Sequence, residues 1–353
     1  AMFGVNLKFH FPFICGMIGS AIAAAVCVAT STTANGGASA GSNVLRALLN
    51  QSALVVFVAM LVVSVFLTDR FLTVDNITNI LRQSVPLGVV SLGLLFVILT
   101  GGIDLSVGSL MALVSVVVAL VVPENGVFFG VLAGIVAGTL LGAFSGTLVA
   151  VFQIAPFIAT LATMTVARGV ALIVSKGQPI FIDDTAFNDF GVASWFGIPT
   201  TFYLLVACFL ITLFLYRKTV FGRLTISIGS NEIATRFAGI RVAYYKFGVY
   251  VLCGLACGIA GVVASTRTGV GSPILAIGFE LDAIAAVVVG GASLAGGRGT
   301  VLNTLIGVMI LSIISNVMNL MNIPGYHQQV VKGAIIIMAV MLESLKGRFN
   351  SRS

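Results

Sequence analysis

Apolar runs of about 17 to 22 residues recur along the whole chain, and they constrain its fold more than any other feature. Each run is long enough to cross a bilayer as an α-helix, because a helix rises about 1.5 Å per residue and the hydrocarbon core is about 30 Å thick. Of the 353 residues, 59% are hydrophobic and only 8% are charged, against about a quarter charged in soluble domains. The sequence therefore predicts an all-α, polytopic transmembrane helical bundle.

The runs predict about ten transmembrane helices in a membrane domain at residues 45–345. The eighth run is short and rich in glycine, which favours a broken or re-entrant helix over a full crossing. The predicted spans are residues 50–67, 84–100, 104–122, 127–152, 156–175, 201–216, 246–265, 281–295, 300–320 and 328–345.

The net charge of +7 comes from basic residues that lie between the apolar runs, without the basic stripe and interleaved aromatics of a nucleic-acid surface. We interpret the distribution of this charge as a signal for orientation in the membrane, because loops rich in Lys and Arg stay in the cytoplasm. The loop 217–245, after the sixth span, is strongly basic, and so is the tail at 346–353. With ten spans, both chain ends are then cytoplasmic. The loop 176–200, with three aspartates and one lysine, then faces outside.

The first 44 residues do not fit this scheme. Residues 11–29 are apolar enough to cross a membrane, which would place the chain start outside. They lack the basic leader and clear cleavage site of a secretory signal, although their alanine-rich end is compatible with one. We therefore predict an atypical apolar N-terminal extension at 1–44, and its role stays open.

Cysteines and phosphate-binding motifs give no sign of an enzyme or a metal site. Each cysteine lies inside an apolar run, which is typical of small buried packing residues. Cys253 and Cys257 are four residues apart and can share a helix face, so disulfide or metal chemistry is the less favoured alternative. The sequence contains no GxxxxGK[ST] phosphate loop. We predict no catalytic residue, no metal and no cofactor. The five cysteines are Cys15, Cys27, Cys208, Cys253 and Cys257.

The span 127–152 carries a glycine at every fourth position, which on a helix makes one continuous smooth stripe. Helices in lipid associate through close backbone contact, so another helix is expected to lie against this stripe. The predicted packing residues are Gly130, Gly134, Gly138, Gly142 and Gly146.

The span 300–320 carries four polar residues on one face of an apolar helix: Ser312, Ser315, Asn316 and Asn319. One interpretation is that they line a path for a polar solute, and the other is hydrogen bonding between helices. The sequence favours neither. The few ionisable residues at membrane depth suit structural pairing or snorkelling more than a proton relay. They are Asp104, Arg168, Glu280, Asp282 and Lys332.

Three separated motifs carry a family resemblance. GGIDLSVGS at 101–109 interrupts an apolar run as a helix end followed by a new helix start, which Asp104 or Ser106 can cap. GRLTISIGSNEIATRFAGI follows at 222–240, and ELDAIAAVVVGGASLAGGRGT at 280–300. In this order and spacing, over residues 45–345, they resemble the permease subunit of ribose-type (monosaccharide) ATP-binding-cassette importers.

The resemblance implies a multi-pass protein of the bacterial inner membrane that translocates a small neutral sugar by alternating access and hydrolyses no ATP itself. It implies three partners besides the lipid bilayer: a cytoplasmic ATPase, a periplasmic sugar-binding protein and a second permease subunit, identical or a close paralogue. Nucleic acid is not among them. Asp104 and the polar face at 312–319 become candidates for the translocation path.

The same resemblance gives the loop 217–245 a role, as the coupling helix that docks on the ATPase. Asn231 is predicted to cap a short helix there, whose apolar face suits a groove on a partner. The alternative is a solvated basic loop that serves topology only. The predicted coupling residues are Gly229, Asn231, Glu232, Ala234, Arg236 and Gly239.

Residues 3–36 separately resemble a fragment of a phosphotransferase-system sugar permease. This suggests one alternative function, a permease that phosphorylates its sugar, although only His10 and His327 are present and the remaining chain does not resemble that system. A second alternative is a secondary sugar transporter driven by an ion gradient.

Overall fold

The computed structural model describes residues 52–350, so the predicted extension at 1–44 and the last three residues of the tail lie outside the described residues. Within that range the chain forms thirteen helices and four two-residue strands. The helices are α1 (Ser52–Leu67), α2 (Val74–Leu99), α3 (Val107–Asn125), α4 (Val127–Ala150), α5 (Pro156–Val174), α6 (Thr185–Val192), α7 (Thr200–Lys218), α8 (Val220–Ser230), α9 (Glu232–Phe237), α10 (Val242–Thr268), α11 (Phe279–Val289), α12 (Val301–Leu320) and α13 (Gly325–Asn350). The strands are β1 (Ile180–Phe181), β2 (Ser194–Trp195), β3 (Ile198–Pro199) and β4 (Val270–Gly271), paired antiparallel as β1 with β4 and β2 with β3.

The all-α, polytopic membrane bundle predicted from the sequence is confirmed. Seven described helices, α2, α3, α4, α5, α7, α10 and α12, are long and apolar enough to cross a membrane. The other three predicted spans coincide with α1, α11 and α13. Of these, α11 has 11 residues, or about 16 Å, which is half of the hydrocarbon core and agrees with a broken eighth helix.

Helix α2 is the centre of the bundle. From Ser84 to Leu99 almost every residue is buried, because α7, α10, α11 and α12 all pack on it. Two glycines allow the close approach, Gly88 against Leu205 of α7 and Gly93 against Ala256 of α10. Such contact supplies the dispersion energy that holds helices together in lipid.

The described cysteines are packing residues of this core. Cys253 and Cys257 of α10 are fully buried and Cys208 of α7 is half-buried, and all three are free thiols. Cys15 and Cys27 lie outside the described residues.

The glycine stripe of α4 lies against α10 and α3. A Cβ atom added at Gly138 would come within 2.8 Å of the Gly254 carbonyl oxygen and of the Gly258 Cα atom, so no side chain fits between the two backbones. Gly142 meets Gly254 and Tyr250, and Gly146 meets Phe247, while Gly130 and Gly134 face valines of α3. The stripe thus places two glycine-bearing helices in direct backbone contact.

Candidate functional site

The three sequence motifs meet at one end of the bundle, in a contact that we call the glycine junction. It consists of residues 99–101 at the end of α2, Gly229 and Ser230 at the end of α8, and residues 296–297 before α12. The Gly297 N–H donates a hydrogen bond of 2.9 Å to the Leu99 carbonyl oxygen. Segments that are far apart in the sequence are thereby joined through their backbones.

Glycine is required in this junction for two different reasons. Gly101, Gly296 and Gly297 have φ angles of 76°, 91° and 72°, which glycine adopts without the strain that other residues suffer. Gly229 lies inside a helix, but a Cβ atom there would collide with the Leu99 carbonyl oxygen. In the sequence these glycines belong to three separate clusters. Their positive φ angles and short backbone distances, which only the structure gives, show that they form one contact.

The predicted coupling residues lie on and around the short helix α9, directly beyond the junction. The Asn231 side chain caps α9, since its Oδ1 atom accepts a 2.9 Å hydrogen bond from the Ala234 N–H. Gly239 follows the helix with a φ angle of 80° and open space around it. The chain therefore turns sharply on both sides of α9.

Glu232 connects α9 to α10 near the start of that helix. Its carboxylate forms a 2.9 Å salt bridge with Arg236 and a 2.6 Å salt bridge with Lys246 of α10. Partial burial acts to raise the pKa of Glu232, but the hydrogen bonds and charges of Lys246 and Arg236 outweigh it and hold the pKa below its ordinary value. Glu232 is therefore ionised at neutral pH. Its salt bridge with Arg236 stabilises α9, and its salt bridge with Lys246 holds α9 against α10.

The outward face of α9 is apolar and uncovered. Ile233 and Phe237 lie one helical turn apart, with 69% and 89% of their surfaces exposed, and Arg236 lies beside them. Exposing a phenylalanine in an otherwise charged segment costs hydrophobic stabilisation that burial would recover. A short helix with an apolar pair and a basic flank has the form that inserts into a groove on another protein.

Asp104 is fully buried just before α3. Its Oδ1 atom accepts hydrogen bonds from the Ser106 backbone N–H at 2.9 Å and from the Ser106 hydroxyl at 2.6 Å. Its Oδ2 atom makes no conventional hydrogen bond, and the Cys253 thiol faces the carboxyl group. Asp104 thus fixes the turn that leads into α3. The Ser106 side chain does not cap that helix, contrary to one of our two expectations.

The predicted polar face of α12 is engaged with neighbouring helices. The Asn316 side chain exchanges two hydrogen bonds with Asn76 of α2, at 2.8 and 3.1 Å, and both residues are buried. Asn319 accepts a 2.8 Å hydrogen bond from Gln328 of α13. Ser312 is buried and Ser315 is half-buried. For the two asparagines this is the geometry of the interhelical alternative, while a role in lining the path stays a prediction.

Comparison with known proteins gives one family and several close relatives. Residues 76–340 match the family described as "Branched-chain amino acid transport system / permease component". The ribose import permease protein RbsC of Bacillus subtilis (strain 168) is 45% identical over 293 residues, covering 82% of this chain and 91% of that protein. RbsC of Escherichia coli (strain K12) is 38% identical over 304 residues, covering 85% and 95%.

A relative with a different sugar in its name is equally similar. The L-arabinose transport system permease protein AraH of Escherichia coli (strain K12) is 41% identical over 294 residues, covering 83% of this chain and 90% of that protein. No solved structure gives a significant match.

Proposed function

This chain belongs to the family of transport-system permease components that its residues 76–340 match, and from that premise we propose that it is the membrane-spanning subunit of an ATP-binding-cassette importer for a small neutral sugar. The substrate class is supported by relatives named for ribose and L-arabinose, which are both uncharged pentoses. The family description names amino acids, but relatives 38–45% identical over more than four fifths of this chain favour a ribose-like monosaccharide.

The exposed apolar face of α9 is the observation that carries this proposal. These 353 residues contain no GxxxxGK[ST] phosphate loop, and in our proposal the ATPase is a partner protein that binds the permease. Ile233 and Phe237 offer that grip, and Glu232 holds them in place through Lys246. In this role α9 is the coupling helix, and the glycine junction transmits its movement to α2 and to the loop before α12.

Charge supports a cytoplasmic position for α8 and α9. The segment 217–246 has one acid, Glu232, among its basic residues, and cytoplasmic loops are the ones enriched in Lys and Arg. The C-terminal tail, which is also basic, lies on the same side in this scheme. The loop 176–199 and the hairpin of β2 and β3 then face the periplasm, where a sugar-binding protein delivers the solute.

Transport follows as alternating access between two permease subunits, identical or closely related. ATP binding brings two cassettes together and moves the coupling helices that rest on them. Because α9 is joined by the glycine junction to the central helix α2, a displacement of α9 shifts the packed core as a unit.

The test is uptake by the reconstituted importer, with the partner ATPase and binding protein, in liposomes given D-ribose, L-arabinose and D-galactose separately. We expect accumulation of unmodified sugar that requires ATP and is lost with a hydrolysis-deficient ATPase. Uptake that survives ATP depletion and collapses with an ionophore would identify an ion-coupled carrier instead. Recovery of sugar phosphate inside the liposomes would identify a phosphotransferase permease.

A further inference from the structure

The eighth crossing consists of a non-helical segment, residues 269–278, followed by the short helix α11. Helix α10 ends at Thr268, and the chain then continues without helix through residues 269–278 before α11 begins. Helix α11 has 11 residues, so the remaining depth of the crossing falls to the non-helical piece.

Contacts with α3 place that piece at membrane depth. Gly271 packs against Ser115 and Ala119, while Ala276 packs against Gly108, near the start of α3. From Ser115 to Gly108 the helix axis advances about 10 Å. The segment therefore runs antiparallel to a spanning helix over a third of the hydrocarbon core.

Side chains from two spanning helices satisfy the backbone of the segment. The Ser115 hydroxyl accepts a 3.1 Å hydrogen bond from the Ser272 N–H, and its one proton is shared between the carbonyl oxygens of Ala112, at 2.7 Å, and Ser272, at 3.3 Å. Arg168 of α5 donates to the carbonyl oxygens of Pro273 and Leu275, at 2.6 and 2.8 Å. Non-helical backbone at membrane depth is tolerated where it is buried in protein or lines a water-filled cavity, and not against lipid.

One side of the crossing is nevertheless open in this chain. Ile274, Ile277 and Leu281 have 63%, 68% and 51% of their surfaces exposed. Four half-buried ionisable side chains belong to the segment or contact it: Glu280, which lies against Gly108 of α3, Asp282, Arg168 and Lys332. Asp282 pairs with Lys332 of α13 at 2.6 Å, and the charge of Glu280 acts on the Arg168 guanidinium.

The outward face of α4 looks different and serves as the lipid-facing reference. Its helix is regular, and its exposed residues recur every fourth position without a charge: Phe128, Leu132, Val136, Leu140 and Phe144. Charges in membrane spans face a water-filled cavity or the bundle interior, and they mark substrate pathways. The α11 side thus carries two independent signs of water, irregular backbone and charge.

We propose that the face formed by residues 272–282 lines the water-filled path of the solute, with a second permease subunit as the opposite wall. This rests on the proposed function. Glu280 and Asp282 are the charged residues of this face, and Arg168 and Lys332 beside it balance their charge, so the path offers polar groups to a polyhydroxylated neutral solute without selecting an ion. Arg168 and Lys332 hold the face in place from α5 and α13.

The test is thiol accessibility in the complete importer, assembled with its ATPase in lipid nanodiscs. Ile277→Cys and Leu281→Cys are compared with Leu140→Cys on α4, and the unsubstituted chain reports labelling of the native cysteines. The probe is the charged, water-soluble reagent 2-(trimethylammonium)ethyl methanethiosulfonate, applied without nucleotide and with a non-hydrolysable ATP analogue. In at least one of these states, we expect the α11-side cysteines to react about tenfold or more faster than Leu140→Cys.

Two outcomes overturn the proposal. If both α11-side cysteines stay as unreactive as Leu140→Cys in every state yet react with a lipid-soluble maleimide, the face meets lipid. If they instead form a disulfide between two subunits and are never labelled from water, the face is a dry contact. Co-purification with the ATPase verifies that each variant is folded. Sugar uptake by the unsubstituted complex tests the proposed function separately, so failure of one is not failure of the other.

Discussion

The backbone N–H of Gly297 donates a hydrogen bond to the carbonyl oxygen of Leu99, across 198 positions of the sequence. Leu99 is the last residue of the buried central helix α2, and Gly297 belongs to the loop that leads into α12. Gly229, at the end of α8, packs over the same carbonyl group. The end of the core is therefore connected to the segment that carries α9.

Gly229→Ala should destabilise the protein, because the new methyl group collides with the Leu99 carbonyl oxygen. Forced overpacking of this kind costs about 1–3 kcal/mol. We expect a lower thermal unfolding midpoint in detergent and a loss of ATP-driven uptake.

Gly169→Ala is the matched control, because Gly169 is also helical but has nothing within 4 Å of an added Cβ atom. That variant should unfold at or slightly above the wild-type temperature. Equal midpoints for the two variants would contradict the tight packing of the junction.

Ile233→Ala and Phe237→Ala should weaken binding of the ATPase without lowering the unfolding midpoint of the isolated permease. Both side chains are largely exposed, so the fold loses little when they are truncated, whereas a docked interface loses its apolar anchors. A central anchor contributes about 1–2 kcal/mol or more, roughly a 10-fold change in affinity. Co-purification and ATPase titration measure this change.

Phe196→Ala provides the comparison, since Phe196 is fully exposed in the turn between β2 and β3, on the opposite side in our scheme. Its ATPase affinity should equal that of the wild type. Unchanged binding in the α9 variants would remove the assignment of α9 as the coupling helix.

The stabilisation supplied by Glu232 should disappear in acid. Its pKa is lower in the folded protein than in the unfolded chain, so its ion pairs stabilise the fold above the ordinary glutamate pKa of about 4.3 and are lost as the pH falls through the lowered value. Glu232→Gln should unfold at a slightly lower temperature than wild type at pH 7, by a small margin because the group is partly exposed.

The measurement is the difference in unfolding midpoint between wild type and Glu232→Gln across a pH series. It should shrink towards zero on the acid side. A difference that grows as the pH falls would mean that the Glu232 carboxylate is not stabilised by Arg236 and Lys246.

Composition and periodicity were sufficient to locate the membrane-spanning helices, because such a helix has to be apolar, but they missed α6 and α8 and the first ten residues of α2. They also indicated that the eighth crossing is interrupted. They could not show that residues 269–278 lie along α3, since that depends on single contacts such as Ser115 with Ser272. The glycine junction could not be predicted either, because its residues are distant in the sequence and become neighbours only in the fold.

The polar face of α12 shows most clearly what the spacing of residues can and cannot predict. The spacing of Asn316 and Asn319 shows that they share a face, but the partner of Asn316 is Asn76, 240 positions away. No local pattern identifies that partner. A mutational test therefore has to separate a role in helix packing from a role in the solute path.

Asn316→Ala, Asn76→Ala and the double variant form that test. The two amides exchange hydrogen bonds inside the bundle, so each single substitution should lower the unfolding midpoint, and the double variant should cost less than the sum of the two. The coupling expected for a hydrogen bond between membrane helices is about 0.6 kcal/mol, and up to about 1.7 kcal/mol.

Uptake per folded protein should fall by the same factor in both single variants, and the order of preference among D-ribose, L-arabinose and D-galactose should not change. Asn319→Ala is the control, because Asn319 is exposed and its hydrogen bond with Gln328 should contribute little. If Asn316→Ala alone alters the sugar preference while its coupling to Asn76 is zero, Asn316 contacts the solute and the interhelical interpretation is wrong.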